Sequence, residues 1–545
     1  MWLRRGWRLT RDRSGYHIRF WFLALLVGIC AGLAAMLFRL AVEWIQRSLY
    51  QTGDLAMLHS HAMTLPWYWI VTLPVLGGLI VGWLMHRFTE DGRVRSVADV
   101  IEGSALNDGR VEVKAGLASA AASMVTLSSG GSSGREGPVV HLAGVIATAA
   151  SNRIKADGVT GRDLLGCAVA AAVSASFNAP IAGALFALEV ILRHFAVNAF
   201  APIVIASCAG TVINRLVFGD VTEFMLGGAS QLGFYVELPA FMLLGLVCGL
   251  MAIALIKAVF FAERIANTVM ARTGLKPQLR PALAGFLLGV IALGFPHIIG
   301  VGYETTSAAL TGQLGFFGAV VFAMVKVVAV AITLGGRMGG GIFSPSLMLG
   351  ALTGLAFGIV ATALLPQFAG SATLYALAGM GAVSAAVLGA PISTTLIVFE
   401  LTGDWQTGLA VMVAVSLSTA LASQLIDRSF FLSQLENRNI HLAAGPQAYL
   451  LAMVRVASLT KEVSTTGPAT EAACWQLIEQ GIYIDGAATL ENAMPIFDKG
   501  GAAFLPVVTL WGDGRPPELL GVLYQVDALR AYNRRLAATA AEEHR

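Results

Sequence analysis

Apolar residues fill this chain in uneven runs from about Phe20 to Asp427, and past about Arg428 the pattern turns mixed and polar. Five runs have the character of bilayer spans: Phe20–Ile45, Pro66–Met85, Phe200–Phe218, Leu238–Phe261 and Arg280–Phe295. Five others are short and broken by Gly, Ser or Pro: Val113–Leu127, Pro138–Ala150, Pro180–Ile191, Ile342–Ala356 and Pro391–Leu401. A perpendicular helix needs about 20 residues to cross about 30 Å of hydrocarbon, so segments of about 10–15 residues predict helices that enter partway and stop. Loose backbone at that depth survives only where it lines a protein-enclosed, wet cavity. The pattern predicts a transporter or channel, not an anchor.

Composition removes the soluble alternatives. Of the 545 residues, 56% are hydrophobic and 13% charged, with 60 glycines besides; an average soluble protein is about 45–50% apolar and about 25% charged. A soluble enzyme, a disordered chain and a secreted disulfide scaffold are excluded. The net charge of +3 is too small to imply nucleic acid. Its placement is more informative, because Met1–Arg19 carries Arg4, Arg5, Arg8, Arg11, Arg13 and Arg19 against Asp12 alone. The positive-inside rule then predicts a cytoplasmic N-terminus. Phe20–Phe38 is too long for a usual signal-peptide core. The cysteines Cys30, Cys167, Cys208, Cys248 and Cys474 are odd in number and scattered, which predicts small core residues, neither disulfides nor metal ligands.

An internal repeat supports the transporter reading. Asn178-Ala179-Pro180-Ile181 opens an apolar segment with Glu189 nine residues after its Pro, and Gly389-Ala390-Pro391-Ile392 opens another with Glu400 at the same offset. Upstream of each is a Gly-rich loop ending in Pro, Gly134-Arg135-Glu136-Gly137-Pro138 and Gly341-Ile342-Phe343-Ser344-Pro345. Such duplicated units often place a binding site at their interface, near the midplane.

The same loops carry the candidate chemistry. Pro belongs in the first turn of a helix, where an N–H partner is missing anyway. The bare N–H groups of that turn and the helix dipole then make an anion site. Two such N-termini facing one point would hold a halide by backbone amides without binding it too tightly for passage. Glu136 puts a carboxylate inside that site, where an ionisable residue costs about 2.5–3.5 kcal/mol or more. Ionised, it can occupy the halide's place; protonated, it can leave. The competing reading is an Arg135–Glu136 ion pair that merely staples the loop. Glu189 reads as structural, since Glu400 repeats its position.

These motifs, with Gly300–Tyr303 and the Ala390–Asp404 stretch, resemble the CLC family of chloride channels and chloride/proton exchangers over roughly Phe20 to Arg438. The resemblance implies an all-α polytopic membrane fold of two inverted halves with tilted and re-entrant helices. It also implies one pore per subunit, a homodimer, chloride as transported ligand and no cofactor. By the same resemblance Glu136 is the gating glutamate, and the amides of Ile342 and Phe343 coordinate chloride. Gly134, Arg135, Gly137, Pro138 and Gly341 shape the anion loops. Aligned through Ile101-Glu102-Gly103, Ser96 falls on the chloride-contacting serine, although Arg95-Ser96-Val97-Ala98-Asp99 lacks the family's glycines and proline there. Phe431 stands where the family has a pore tyrosine. Val190 replaces the inner proton-accepting glutamate of exchangers, as in the family's channels and a shorter ClcB-like bacterial branch. That loss favours passive, voltage- or pH-gated conduction; the alternative is a chloride/proton antiporter.

The expected division is a basic cytoplasmic N-terminus over 1–19, a transmembrane domain over 20–438 with halves at about 20–218 and 233–438, and a cytoplasmic tail over 439–545. In the tail, a helix at Thr489–Phe497, strands at Phe504–Leu510 and Leu519–Tyr524 around a Gly512–Gly514 turn, and a helix at Val526–Tyr532 predict a small α+β module. It resembles one CBS module with Asp527 at the ribose-binding position, and Val456–Gly486 would be a decayed first copy. Nucleotide binding and packing at a dimer interface are both open there. The expected location is a bacterial inner membrane, with both termini cytoplasmic. An enzyme reading rests on Gly130-Gly131-Ser132-Ser133-Gly134, a formal Gly-x-Ser-x-Gly match near His141 that would suit an intramembrane serine hydrolase. That motif needs a strand–turn–helix context, which the small-residue segment upstream does not predict.

Overall fold

A computed structural model describes the chain apart from residues 1, 55–56, 196, 220–236, 365, 367–369, 439, 441, 443–450, 452–453, 465–468, 510–516 and 544–545. Among the described residues the regular elements of the membrane part are helices: α1 (Trp2–Tyr50), α2 (Leu58–Ala62), α3 (Trp67–Phe88), α4 (Val97–Leu106), α5 (Val113–Ser129), α6 (Glu136–Ile154), α7 (Gly158–Phe177) and α8 (Pro180–Phe186) come first. A π-helical turn, Ala187–Leu192, continues α8. Then follow α9 (Val197–Phe218), α10 (Leu238–Thr273), α11 (Arg280–Gly294), α12 (Tyr303–Leu310), α13 (Phe316–Gly335), α14 (Phe343–Leu364), α15 (Ala372–Leu388), α16 (Pro391–Thr402), α17 (Trp405–Leu425) and α18 (Phe430–Glu436). Among the described residues eight helices are long and apolar enough to cross a bilayer, while α8 with its π turn, α15 and α16 are shorter. Two segments expected to be short are not: α6 has 19 residues and α14 has 22. In α14 the apolar pattern runs on through Gly358 and Thr362, whereas α6 gains a polar last turn, Ser151-Asn152-Arg153.

The helices pack through small residues because lipid supplies no hydrophobic drive between them. A Cβ on Gly350 would lie 2.6 Å from the Met380 Cα, and one on Gly379 would lie 2.8 Å from the Gly354 Cα, so α14 and α15 meet backbone to backbone. Gly78 and Gly82 of α3 face the Pro281 and Gln278 carbonyls, and Gly285 of α11 faces the Pro74 carbonyl. Helices α7 and α15 are buried on nearly every side, which is why neither shows an amphipathic stripe. Cys30 and Cys208 are exposed and are not core residues as expected; Cys167, Cys248 and Cys474 are buried.

The duplication is visible as reciprocal capping. Glu189 accepts hydrogen bonds from the N–H groups of Ile392 and Ser393 at 2.9 and 2.8 Å, at the start of α16. Glu400, at the end of α16, accepts them from Ile181 and Ala182 at 3.0 and 2.8 Å, at the start of α8. Each carboxylate satisfies bare helix N–H groups of the other half. The structural reading of Glu189 holds, and its cause is this exchange.

The tail contains a helix at Glu471–Glu479, strands β1 (Ile484–Asp485), β2 (Phe504–Thr509) and β3 (Glu518–Tyr524), and helices Leu490–Gly500 and Gln525–Glu543. β1 pairs parallel to β2, and β2 antiparallel to β3. The Gly512–Gly514 turn lies outside the described residues. Residues 456–486 are no separate decayed copy: Val456 bonds Ala488, Lys461 pairs with Val522, and β1 joins the same sheet. One core holds Val456, Ile484, Phe497, Val507 and Leu523. The module touches the membrane part through Arg455 and Asp108, 2.9 Å apart.

Removing either capping carboxylate strips two charge-assisted bonds, so Glu189→Ala and Glu400→Ala should each destabilise by about 3 kcal/mol or more. Thermal unfolding in detergent should show similar losses for both, with partial recovery in the Gln variants. A large loss in only one would contradict the exchange.

Candidate anion-binding site

The site is built where the two Gly-rich loops meet. Gly130, at φ +108°, ends α5 in a left-handed conformation. Gly339 and Gly340, at φ +99° and +105°, turn the chain into α14. Between the loops, the Gly134 N–H donates to the Gly341 carbonyl and the Gly341 N–H to the Gly134 carbonyl, both at 2.7 Å. Contact this close requires glycine: a Cβ on Gly341 would lie 2.8 Å from the Gly137 nitrogen, and one on Gly137 3.0 Å from the Gly341 Cα. The N-termini of α6 and α14 are thereby brought side by side, with Pro138 and Pro345 each in the first turn.

Glu136 is buried between them, with 4% of its surface exposed. Its carboxylate reaches across to the α14 N-terminus, where Oε1 accepts a hydrogen bond from the Ser344 hydroxyl at 2.5 Å. The Arg135 Nε lies 4.0 Å from that oxygen, and the guanidinium instead donates to the Ser176 carbonyl at 3.2 Å and rests over the Tyr303 ring. The loop-stapling ion pair is therefore at the edge of contact, and Ser344 is the closer partner.

Beside Glu136 is a cavity of about 30 Å³, room for roughly two waters or small ions. Ser96, Glu136, Gly137, Gly341, Ile342, Phe343 and Phe431 all line it. These come from loops up to 335 positions apart and meet only in the fold (96 to 431). Gly134, Arg135 and Pro138 set the loop backbone without lining the cavity, and neither does Val190, buried in the π turn. Apart from Gln434 the remaining wall is apolar: Val140, Val173, Phe186, Leu388 and Phe430 line it, and Phe343 packs edge-on to Phe177 and against Phe186. Sequence reading missed these residues, Gln434 and Ser344. For Ser344 a signal existed, since the repeat pairs it with Gly137.

The Ser96 loop keeps its shape by other means than the family's glycines. Asp99 accepts the Ser96 N–H at 2.7 Å across the start of α4, and its other oxygen takes Arg438 at 2.7 Å. Upstream, burial acts to raise the Asp91 pKa, but bonds from Arg95 and Arg93 outweigh it and hold the carboxyl well below the usual range. A wider space of about 120 Å³ shares Ser96, Gly340 and Gln434 with the small cavity. Arg93, Arg337 and Arg438 line it against Glu263, so it is electropositive. Lys326 is fully buried and donates to the Ile298, Gly300 and Val301 carbonyls at 3.1–3.4 Å. Arg193 caps the π turn. The Gly130–Gly134 stretch lacks the strand–turn–helix context of a hydrolase nucleophile: a helix precedes Ser132, its N–H donates to Thr333, and His141 Nδ1 faces the Ser96 carbonyl.

Helix N-termini converging on a small buried cavity, with a polar approach on one side, define a membrane protein built to pass anions. Comparison with known proteins agrees. The sequence profile of the voltage-gated chloride channel family matches residues 77–423. A ClcB-like chloride channel protein of Ralstonia nicotianae is 30% identical over 396 residues, covering 72% of this chain and 91% of the relative. The voltage-gated ClC-type chloride channel ClcB of Escherichia coli O81 is 29% identical over 418 residues, 74% and 95% of the two chains. Among solved structures, a slow cyanobacterial chloride/proton antiporter superposes with a TM-score of 0.68 at 22% identity, covering 77% of this chain and 98% of its own. The chain belongs to the CLC family of chloride channels and transporters, multi-pass membrane proteins that are not enzymes.

Gly341→Ala should force the two loops apart. It is expected to lower chloride affinity at least about tenfold, because both bridging hydrogen bonds and the N-terminal geometry change together. Calorimetric chloride titration of the purified protein checks this; unchanged affinity would remove the loops from the site.

Proposed function

We propose that the protein conducts chloride through this cavity, with Glu136 as a protonatable gate, and that conduction is passive. The observation carrying this reading is the Glu136 carboxylate against Ser344 at the N-terminus of α14, where a halide would be held. Ionised, the carboxylate competes with chloride for the same donors. Protonated, it loses that claim, so acid should open the path. The amides of Ile342 and Phe343 and the Ser96 side would hold the ion, and Phe431 adds an apolar wall in place of a hydroxyl donor. Val190 supports passive conduction, as do the channel names of the curated relatives. Proton-coupled exchange is the second reading, favoured by fold neighbours that are chloride/proton and fluoride/proton antiporters.

The proposed setting is a bacterial inner membrane, with the Arg-rich N-terminus and the tail both cytoplasmic and two subunits per assembly. The tail is best read as a packing module: Lys461 lies 2.6 Å from Asp527 and occupies the carboxylate that a ribose would need.

In chloride-loaded liposomes, chloride efflux should rise as pH falls, and Glu136→Gln should be fast and independent of pH. Proton uptake against its gradient, driven by chloride, would replace the passive reading with exchange; unaltered pH dependence in Glu136→Gln would remove the gate. Ser96→Ala should shift chloride preference toward nitrate by a few-fold, read from reversal potentials. Alanine is the suitable change because Ser96 sits at φ −145° with its N–H bonded to Asp99, which proline could not reproduce.

A further inference from the structure

A second crevice lies outside the ion path. It encloses about 820 Å³ between the Phe88 end of α3 and the Pro277–Pro281 stretch leading into α11. Three cations line it: Arg87 and Lys114, both exposed, and the partly buried Arg337. Of the two acids on its rim, Asp91 is already taken by Arg93 at 2.8 Å and Arg95 at 2.7 Å, which leaves Glu90. Positive charge therefore exceeds negative. Arg337 is also short of partners: one nitrogen donates to the Asp91 carbonyl at 3.2 Å, and its Nε is buried without a hydrogen bond.

The flank of this crevice faces lipid. Leu76, Leu79, Ile80 and Trp83 on α3, and Leu283 and Phe286 on α11, are exposed along helices that cross the bilayer. Trp83 stands one turn before Arg87, and exposed tryptophans mark the headgroup level. A cationic floor open to an apolar flank at that level matches a phosphate headgroup above and acyl chains beside the helices. The crevice lies on the face that carries the tail, since Lys114 follows Asp108, the partner of Arg455.

We propose that this crevice binds the headgroup of an anionic phospholipid, with Arg87, Lys114 and Arg337 as its phosphate contacts. Arg337 also lines the electropositive approach to the anion cavity. A lipid phosphate there draws on the same charge that attracts chloride, so the bound lipid slows chloride entry; this second part rests on the transport reading above.

The test uses the full-length protein in nanodiscs of phosphatidylcholine with added phosphatidylglycerol, with retained lipid read by native mass spectrometry. Wild type should keep phosphatidylglycerol through delipidation, and the Arg87→Gln/Lys114→Gln double variant should bind it roughly 30-fold more weakly. Equal retention by both overturns the site. Displacement of the lipid by millimolar inorganic phosphate would make it a site for soluble phosphate and overturn the lipid assignment. In liposomes, phosphatidylglycerol should slow wild-type chloride flux and leave the double variant unchanged, while both run alike in pure phosphatidylcholine. An identical lipid response in both overturns the link to Arg337. Absence of chloride flux in every lipid counts against the transport reading alone, because lipid retention is measured without transport.

Discussion

Two backbone hydrogen bonds hold the functional centre together. Gly134 and Gly341 each donate to the other's carbonyl at 2.7 Å, and this pair fixes the distance between the first turns of α6 and α14. Glu136 and the amides of Ile342 and Phe343 are placed relative to that bridge, while Ser96 is held separately through Asp99. Without it the bare N–H groups of two helices would point at unrelated places, and neither alone would make a buried halide site worth the cost of dehydration. The glycines are needed less for freedom than for absence: at Gly137 and Gly341 a single methyl would occupy the space the other strand uses.

Around this bridge the protein separates two kinds of surface. Most of the cavity wall is apolar, with Phe186, Phe343, Phe430 and Phe431 its largest side chains, and its polar side chains are Ser96, Glu136 and Gln434. The approach is lined by Arg93, Arg337 and Arg438, none of which lines the cavity. Positive charge thus raises the local concentration of anions without offering a deep well at the narrowest point. Asp99 serves both parts, since one oxygen orders the Ser96 backbone and the other holds Arg438 at the entrance.

Legibility in the sequence followed the range of the interaction. The two Gly-rich loops, the duplicated Pro and Glu positions and the buried carboxylate of Glu136 could be read directly, because each is a local motif with one physical reason. The seven predicted residues that line the cavity could be named because the family resemblance supplied their meeting point. What stayed hidden depended on pairs far apart in the chain. Arg438 is invisible as a partner of Asp99 339 positions away, and the Ser344 hydroxyl has no meaning until the loops are side by side. The length of α14 was underestimated because Gly358 and Thr362 look like breaks in a hydropathy pattern, and that of α6 because its ends are polar, Glu136 at the start and Ser151-Asn152-Arg153 in the last turn. The tail was half legible: strands and flanking helices show in the pattern, but a two-residue β1 carries too little signal to join residues 456–486 to the sheet.

The exchange of carboxylates between the halves also has a meaning in time. Glu189 leaves the ribosome 203 residues before Ile392, whose N–H it will accept. At about 5–20 residues per second that interval is roughly 10–40 s. During it the first half sits in the bilayer with an unanswered acid and the open start of α8. Membrane insertion of this chain is therefore an unfinished state that must be sheltered until its mirror arrives, and the second half acts on the first as a folding partner made by the same message.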